Sequence, residues 1–588
     1  MTTPIDRPAT APANRTERFV ILASVEQLIG VASLFWALAA NRMFLDAALR
    51  GRALAEPSTW GFAAALVLML VLLHYAVLAL VVQRRTVKPI LALLIGATAL
   101  AMWFMQDYGV YLDPSMLRNA LRTDPTEARE LLTWRLLPHL AIFAGLPLAL
   151  LWRVRVVRRP WRRTAAIRLG TTLLATAVFI ATLLAVFQPF AALMRNHREM
   201  RYLATPANYL YSIAAVAAAQ TRGVARPRQP IGLDARPGPG WAAQTRPLVV
   251  VLVVGETARA ANWGLAGYSR ETTPQLARLP LINYAEVTAC GTNTEVSLPC
   301  MFARVGRRDY DEARIRGSES LLHLLARAGV AVHWRDNQSG CKGVCAGLPQ
   351  DEAGSLSPAG LCSSGHCLDE ALLVGLDERL AAAKGRQLLV LHPLGNHGPA
   401  YFRRYPEAFR HFKPDCRSDD LQQCSREEIV NAYDNALRYT DHLLASLVAK
   451  LQAAEGRVDS VLVYVSDHGE SLGESKLWLH GLPYAIAPDV QKRVPMLMWL
   501  SAGMAAAGGL DTACLQRRAL QPAAHDHLFH TLIGLMDVTT SLYEPQWDLA
   551  HGCRSSAAQP LERALTAADL GNTSALSLTL SRLREREQ

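Results

Sequence analysis

Long apolar runs crowd the first third of the chain, and shorter ones alternate with helix-like polar segments in the rest. Five apolar stretches lie near residues 19–40, 61–82, 89–106, 136–152 and 169–188. Each approaches the roughly 20 residues that carry a helix across a bilayer. Any one of them fits a buried helix of a soluble protein, but five in succession with basic connectors do not. The pattern predicts a transmembrane domain of five helices over 17–190. Residues 191–220 read as a helix of mixed polarity at the membrane surface. Residues 223–247 hold five prolines and four glycines and read as a linker, so 191–247 is taken as interfacial helix and linker. Residues 1–16 read as a disordered cytoplasmic arm without a signal-peptide cleavage site, and 554–588 as a polar C-terminal tail.

From residue 248 the period changes. Continuous runs rich in β-branched and aliphatic residues occur at 247–254, 387–392, 458–466 and 494–500, separated by helix-like segments such as 319–328, 368–383 and 427–454. Buried strands alternating with helices predict an α/β domain over 248–553, with a mostly parallel sheet and helices on both faces. In such sheets ligands bind beyond the carboxyl ends of the strands.

The net charge of +11 admits a nucleic-acid binder, but many arginines flank the apolar runs, and no zinc-finger, stacking or helix-turn-helix pattern accompanies them. Their distribution sets topology instead. With the N-terminus inside, the cytoplasmic segments carry thirteen Lys and Arg, including Arg153, Arg155, Arg158, Arg159, Arg162, Arg163 and Arg168, against seven in the outer loops. An odd number of spans then puts everything after residue 190 outside. All ten cysteines lie after residue 289, without paired CxxC motifs, which favours disulfides in an oxidising compartment over a zinc-ribbon site.

The polar residues of interest follow the strand runs. Glu256 comes after the first, His397 after the second, Asp467 and His468 after the third, with His480 shortly beyond. Alone, each has a bland reading: a helix-start glutamate, a packed surface histidine, a turn. Together, Glu256, Asp467 and His468 make an oxygen-and-nitrogen donor set suited to zinc. The stretch Cys290–Cys300 adds Thr294 as a nucleophile. A threonine at a helix start is by default an N-cap. The same place offers amide donors to a phosphate, and a nearby zinc ion lowers a hydroxyl pKa.

The motifs GETAR (255–259), CGTNTEVSLPCMF (290–302), Asp336–Cys345, GNHGPAYFRRYP (395–406), YDN (433–435), SDHGESLGE (466–474) and the later LHGLPYAIAP (479–488) resemble, in content and order, the lipid A phosphoethanolamine transferases, including the mobile colistin-resistance enzymes. The resemblance covers about residues 17–553. It implies an alkaline phosphatase/sulfatase-like catalytic domain on five transmembrane helices in the bacterial inner membrane, with the catalytic domain in the periplasm. It implies one tightly bound zinc ion, allowing a second, with Glu256, Thr294, Asp467 and His468 as ligands. Thr294 becomes the nucleophile, and Lys342, His397 and His480 contact phosphate or substrate. Asn119, Thr123 and Glu127 become headgroup contacts; spaced four apart, they are expected on one helix face, where the bland alternative is a solvated surface. The implied donor is phosphatidylethanolamine, the acceptor a phosphate of lipid A, the intermediate a phosphothreonine, and the protein a monomer. The product, carrying an added amine, attracts polymyxins and other cationic peptides less. Proximity and the resemblance suggest disulfides Cys290–Cys300, Cys341–Cys345, Cys362–Cys367 and Cys416–Cys424, leaving Cys514–Cys553. Kdo, core heptose or a periplasmic glucan stand as alternative acceptors. The rivals are a membrane-bound phosphodiesterase, a glycerol-phosphate polymerase and a non-catalytic sensor; an ordinary sulfatase is disfavoured, because Cys300–Arg304 lacks the proline of its motif.

Overall fold

The computed structural model describes residues 20–554, apart from 124, 225–226, 243, 357–359, 364–365 and 507–508. The arm expected over 1–16, and all but the first residue of the expected tail, lie outside the described residues. The chain forms two compact units: one from residues up to 117 together with 133–216, the other from 118–132 together with residues from 217 onward.

In the first unit, Pro57–Val81, Val87–Tyr108, Leu136–Arg153 and Trp161–Ala185 are long and apolar enough to cross a membrane. Val25–Ala40 and Arg42–Leu49, bent by 56°, pass that test together as a fifth. The bend sits at the buried Asn41, whose amide nitrogen donates to the carbonyls of Trp36 (2.8 Å) and Thr205 (2.7 Å). Thr205 N–H donates back to Asn41 Oδ1. A broken helix in an apolar setting needs such replacement partners for its freed backbone groups.

The second unit is built on an eight-stranded sheet. We label its strands β1 (Leu248–Gly255), β2 (Ile282–Thr288), β3 (Ala331–Asp336), β4 (Gln350–Glu352), β5 (Arg386–His392), β6 (Asp459–Ser466), β7 (Arg493–Leu500) and β8 (Ala523–Ala524). Their order is β8-β2-β7-β6-β1-β5-β3-β4. Every residue of β1 is buried, on both faces, as its unbroken apolar run predicts. Val250, Leu252 and Val254 pack with Leu321, Leu325, Phe529 and Leu532, which come from the helices Leu321–Arg327 and Asp526–Leu535.

The sheet is mostly parallel, with β7 the exception, antiparallel to both β6 and β2. The run at 494–500 reads like its parallel neighbours because burial on both faces looks the same in either direction. The link from β6 to β7 contains no crossing helix, only short strands and 3-10 turns, and antiparallel neighbours need no crossover. The helix expected over 368–383 is also broken, into a 3-10 turn at Asp369–Leu373 and a helix at Leu376–Ala381. Gly375 lies between them at φ +70°.

Candidate active site

Sheet register brings the chemistry to one edge. Gly255 pairs with Ser466, and Asp336 with His392. Four adjacent strands therefore release Glu256, Asp467–His468 and the loops after Asp336 and His392 side by side. Glu256, Asp467 and His468 are fully or almost fully buried, and each offers a ligand atom within 4.8 Å of the others. Asp467 Oδ1 accepts the backbone N–H groups of Thr257 (3.1 Å) and His468 (2.8 Å). Its Oδ2 is buried without a hydrogen-bond partner among the described residues. His468 Nδ1 lies 2.9 Å from the Gly469 carbonyl. With Nδ1 donating there, Nε2 points at Glu256 Oε1 and Asp467 Oδ2, 3.4 Å from each. Two carboxylates, an oriented imidazole and an orphaned buried oxygen fit a zinc ion by donor chemistry.

The electrostatics agree. Burial opposes ionisation of Glu256, but the hydrogen bond and charge of His468, helped by His397, hold its carboxyl well below the usual range. Asp467 is pushed up to about 6, first by burial and then by the negative charge of Glu256. His468 is pushed up to about 10, because its two carboxylate neighbours outweigh burial.

Thr294 begins the helix Thr294–Met301, but Asn293 caps it, accepting the Val296 N–H at 3.0 Å. The expected N-cap role of Thr294 is thereby corrected. Asparagine is at least as good a cap as threonine, and its presence spares the threonine hydroxyl. Thr294 Oγ1 instead lies 3.2 and 3.1 Å from the two Glu256 oxygens and 3.3 Å from His468 Nε2. A disulfide, Cys290–Cys300, brackets the segment. The other four pairs are also those expected.

Three supporting residues escaped the sequence reading. Thr257 is β-branched yet sits at φ +58°, a strained region. It is held there by its amide on Asp467 and by its hydroxyl, which donates to Glu256 Oε1 at 2.6 Å. Gln338 Nε2 donates to Glu256 Oε2 at 2.6 Å. His525, fully buried, accepts the Cys290 N–H at Nδ1 (3.0 Å) and meets the Ser466 carbonyl through Nε2 (2.9 Å). It thus ties the Cys290–Cys300 segment to the strand that ends at Ser466. Thr257 lay inside the GETAR motif, whereas His525 follows no strand run and gave no signal.

Lys342 sits in the loop after β3, with Nζ 2.5 Å from Ser339 Oγ and 3.2 Å from the Ser339 carbonyl. Asp336 shapes that loop, accepting the Gln338 and Gly340 N–H groups at 3.0 and 2.8 Å. The His480 ring lies 4.3 Å from the His468 ring, tilted to it, and edge-on to the His397 ring at 5.6 Å, with Nδ1 3.3 Å from Glu470 Oε1. The structure thus gathers His397 and His480 beside the triad.

Asn119 and Thr123 are half-buried, and Thr123 Oγ1 donates to the Asn119 carbonyl at 2.8 Å. The single helix face expected for Asn119, Thr123 and Glu127 is corrected. One helix spans Pro114–Arg122 and a second begins at Pro125, because proline disfavours helical geometry in the residue before it. The Glu127 side chain lies outside the described residues. The segment is fastened at both ends: Arg122 binds Glu295, next to Thr294, at 2.9 Å, and Glu130 binds Arg404 at 2.7 Å. Arg404 in turn donates to the His397 carbonyl at 2.6 Å.

Residues 249–538 match the sulfatase family, and residues 70–221 match the family described as phosphoethanolamine transferase EptA/EptB. The phosphoethanolamine transferase EptA of Escherichia coli is 38% identical over 471 residues, covering 79% of this chain and 86% of the relative. The phosphatidylethanolamine transferase Mcr-1 of Escherichia coli is 35% identical, covering 89% and 95% respectively. This chain belongs to the phosphoethanolamine transferase family. A solved member, the integral membrane lipooligosaccharide phosphoethanolamine transferase A of Neisseria meningitidis, superposes with a TM-score of 0.86. It is 35% identical and covers 91% of this chain and 99% of its own. The family match carries the membrane helices and the sulfatase-like domain as one architecture.

Proposed function

We propose that this protein transfers phosphoethanolamine from phosphatidylethanolamine to a lipid A phosphate, through a covalent adduct on Thr294. The observation that carries the reading is the convergence of the Thr294 hydroxyl on Glu256 and His468, in a family whose EptA and Mcr-1 members are named as phosphoethanolamine and phosphatidylethanolamine transferases. Glu256, Asp467, His468 and Thr294 would hold a zinc ion, which when bound lowers the pKa of the threonine hydroxyl and offsets phosphate charge. In the first step Thr294 Oγ forms a bond to the donor phosphorus as the bond from phosphorus to the glycerol oxygen breaks. Diacylglycerol leaves with a proton. In the second, an oxygen of the acceptor phosphate attacks the same phosphorus and Thr294 Oγ departs, taking a proton back. In this reading His397 and His480 hold or move those protons, and Lys342 balances oxygen charge. Asn119, Thr123 and Glu127 receive the ethanolamine headgroup.

The site faces the periplasm from the inner membrane, in a monomer whose catalytic domain runs over 248–553. The added amine lowers surface charge and so weakens polymyxin binding. Mass spectrometry of lipid A from cells with and without the gene tests the reading. A gain of one phosphoethanolamine supports it, and unmodified lipid A with another glycan modified would move the acceptor elsewhere.

A further inference from the structure

Four guanidinium groups crowd the residues next to the nucleophile and take no part in the steps above. The carboxylate of Glu295, adjoining Thr294, is buried and lies 2.9 Å from Arg122, 2.8 Å from Arg316 and 3.8 Å from Arg118. Arg316 also donates to the Glu295 carbonyl at 2.6 Å. Arg118 and Arg316 share a second carboxylate, Glu312. The fourth, Arg228, donates to the carbonyl of Gly343, next to Lys342. Gly343 sits at φ +92°, a backbone conformation that favours glycine.

Among the described residues, Arg118, Arg122 and Arg316 meet the carboxylates of Glu295 and Glu312, and Arg228 feels the charge of Glu319. Among the described residues, no carboxylate lies within ion-pair distance of Arg228. The Gln229 N–H donates to the Gly317 carbonyl at 2.8 Å, which sets Arg228 beside Arg316; the pKa of Arg228 is lowered, first by partial burial and then by Arg316 and Arg122, against an opposing rise from Glu319. Arg122 and Arg228 keep solvent-facing donors, the Arg122 side chain being 46% exposed. Neutralising Glu295 needs one arginine, whereas like charges held together beside a phosphoryl-transfer threonine call for an anion. Guanidinium forks match phosphate in shape and charge.

We infer that Arg122, Arg228 and Arg316 form a phosphate-binding site for the glycolipid acceptor, adjoining Thr294. The site rests on the transferase reading and adds to it the means by which a phosphorylated acceptor is drawn to the adduct. A bilayer phospholipid such as phosphatidylglycerol offers similar phosphate chemistry, so the test separates the two.

The experiment uses the full-length Thr294→Ala protein in detergent and measures binding of bis-phosphorylated lipid A, with phosphatidylglycerol as competitor. Arg228→Gln is expected to weaken lipid A binding about tenfold, the scale of one lost charge-assisted bond. Arg228→Lys should retain most of it, and phosphatidylglycerol should compete poorly. Among the described residues Arg228 makes one hydrogen bond, at the surface, so this variant is expected to fold; Arg122→Gln provides a second variant. Unchanged lipid A binding in Arg228→Gln and in Arg122→Gln would overturn the site, as would equal competition by phosphatidylglycerol. Adduct formation by the wild type with donor alone is scored separately and reports on the transferase reading itself.

Discussion

At the scale of single residues, the site works because neighbours relieve the key side chains of other duties. Asn293 caps the helix, so Thr294 keeps its hydroxyl for Glu256 and His468. Asn293→Ala should therefore lower stability by about 1 kcal/mol, while Thr294→Ala should leave the unfolding midpoint nearly unchanged; thermal or denaturant unfolding of both variants checks this. His525 carries a second prediction. Its Nδ1 accepts an N–H and its Nε2 meets a carbonyl, so the neutral ring fits, and burial pushes its pKa down to about 4 from 6.5. Between those values the unfolded chain binds the proton and the folded one does not. Stability from this group is therefore full above pH 6.5 and falls as pH drops toward 4, by roughly 3 kcal/mol over the window. Unfolding curves across that range should show the slope, and His525→Gln should flatten it; an unaltered slope would show that the ring does not bear this charge penalty. Glu256, Asp467 and His468 were legible in the sequence because each follows an apolar strand run. His525 was not, because its role exists only where two distant segments meet.

Among the elements, the segment 118–132 has most to reveal. Its Glu130 pairs with Arg404, both side chains 2% exposed. Removing one partner leaves a buried charge, which typically costs about 3–5 kcal/mol. Arg404→Ala should thus destabilise strongly, and since Arg404 also holds the His397 carbonyl, it should impair transfer before unfolding. Glu130→Gln should be milder, and a double-mutant cycle should return a coupling well above the surface-pair range. Coupling near zero would detach the segment from the site. The central strands and the helix Arg426–Ala453 were readable from apolar period and length. The edge strands Gln350–Glu352 and Ala523–Ala524 were not, having two or three residues and no pattern of their own. The direction of β7 also escaped, since burial on both faces carries no sign of strand polarity. The break before Pro125 stood in the sequence, but spacing alone suggested one continuous face.

For the whole molecule, charge asymmetry and disulfides are independent arguments for one topology. All ten cysteines are paired, which favours an oxidising compartment, while the arginines between the fourth and fifth spans favour the cytoplasm. Alkaline phosphatase fusions after residue 240 should be active and fusions near residue 160 inactive; the reverse pattern would overturn the orientation. The central claim is chemical, and intact-mass analysis of the purified full-length protein tests it most directly. Incubated with phosphatidylethanolamine and no acceptor, it should gain one phosphoethanolamine, mapping to Thr294. Thr294→Ser should show a smaller gain, Thr294→Ala none, and Glu256→Ala or Asp467→Ala neither adduct nor bound zinc. An adduct on another residue, or full transfer by the alanine variant, would contradict the account.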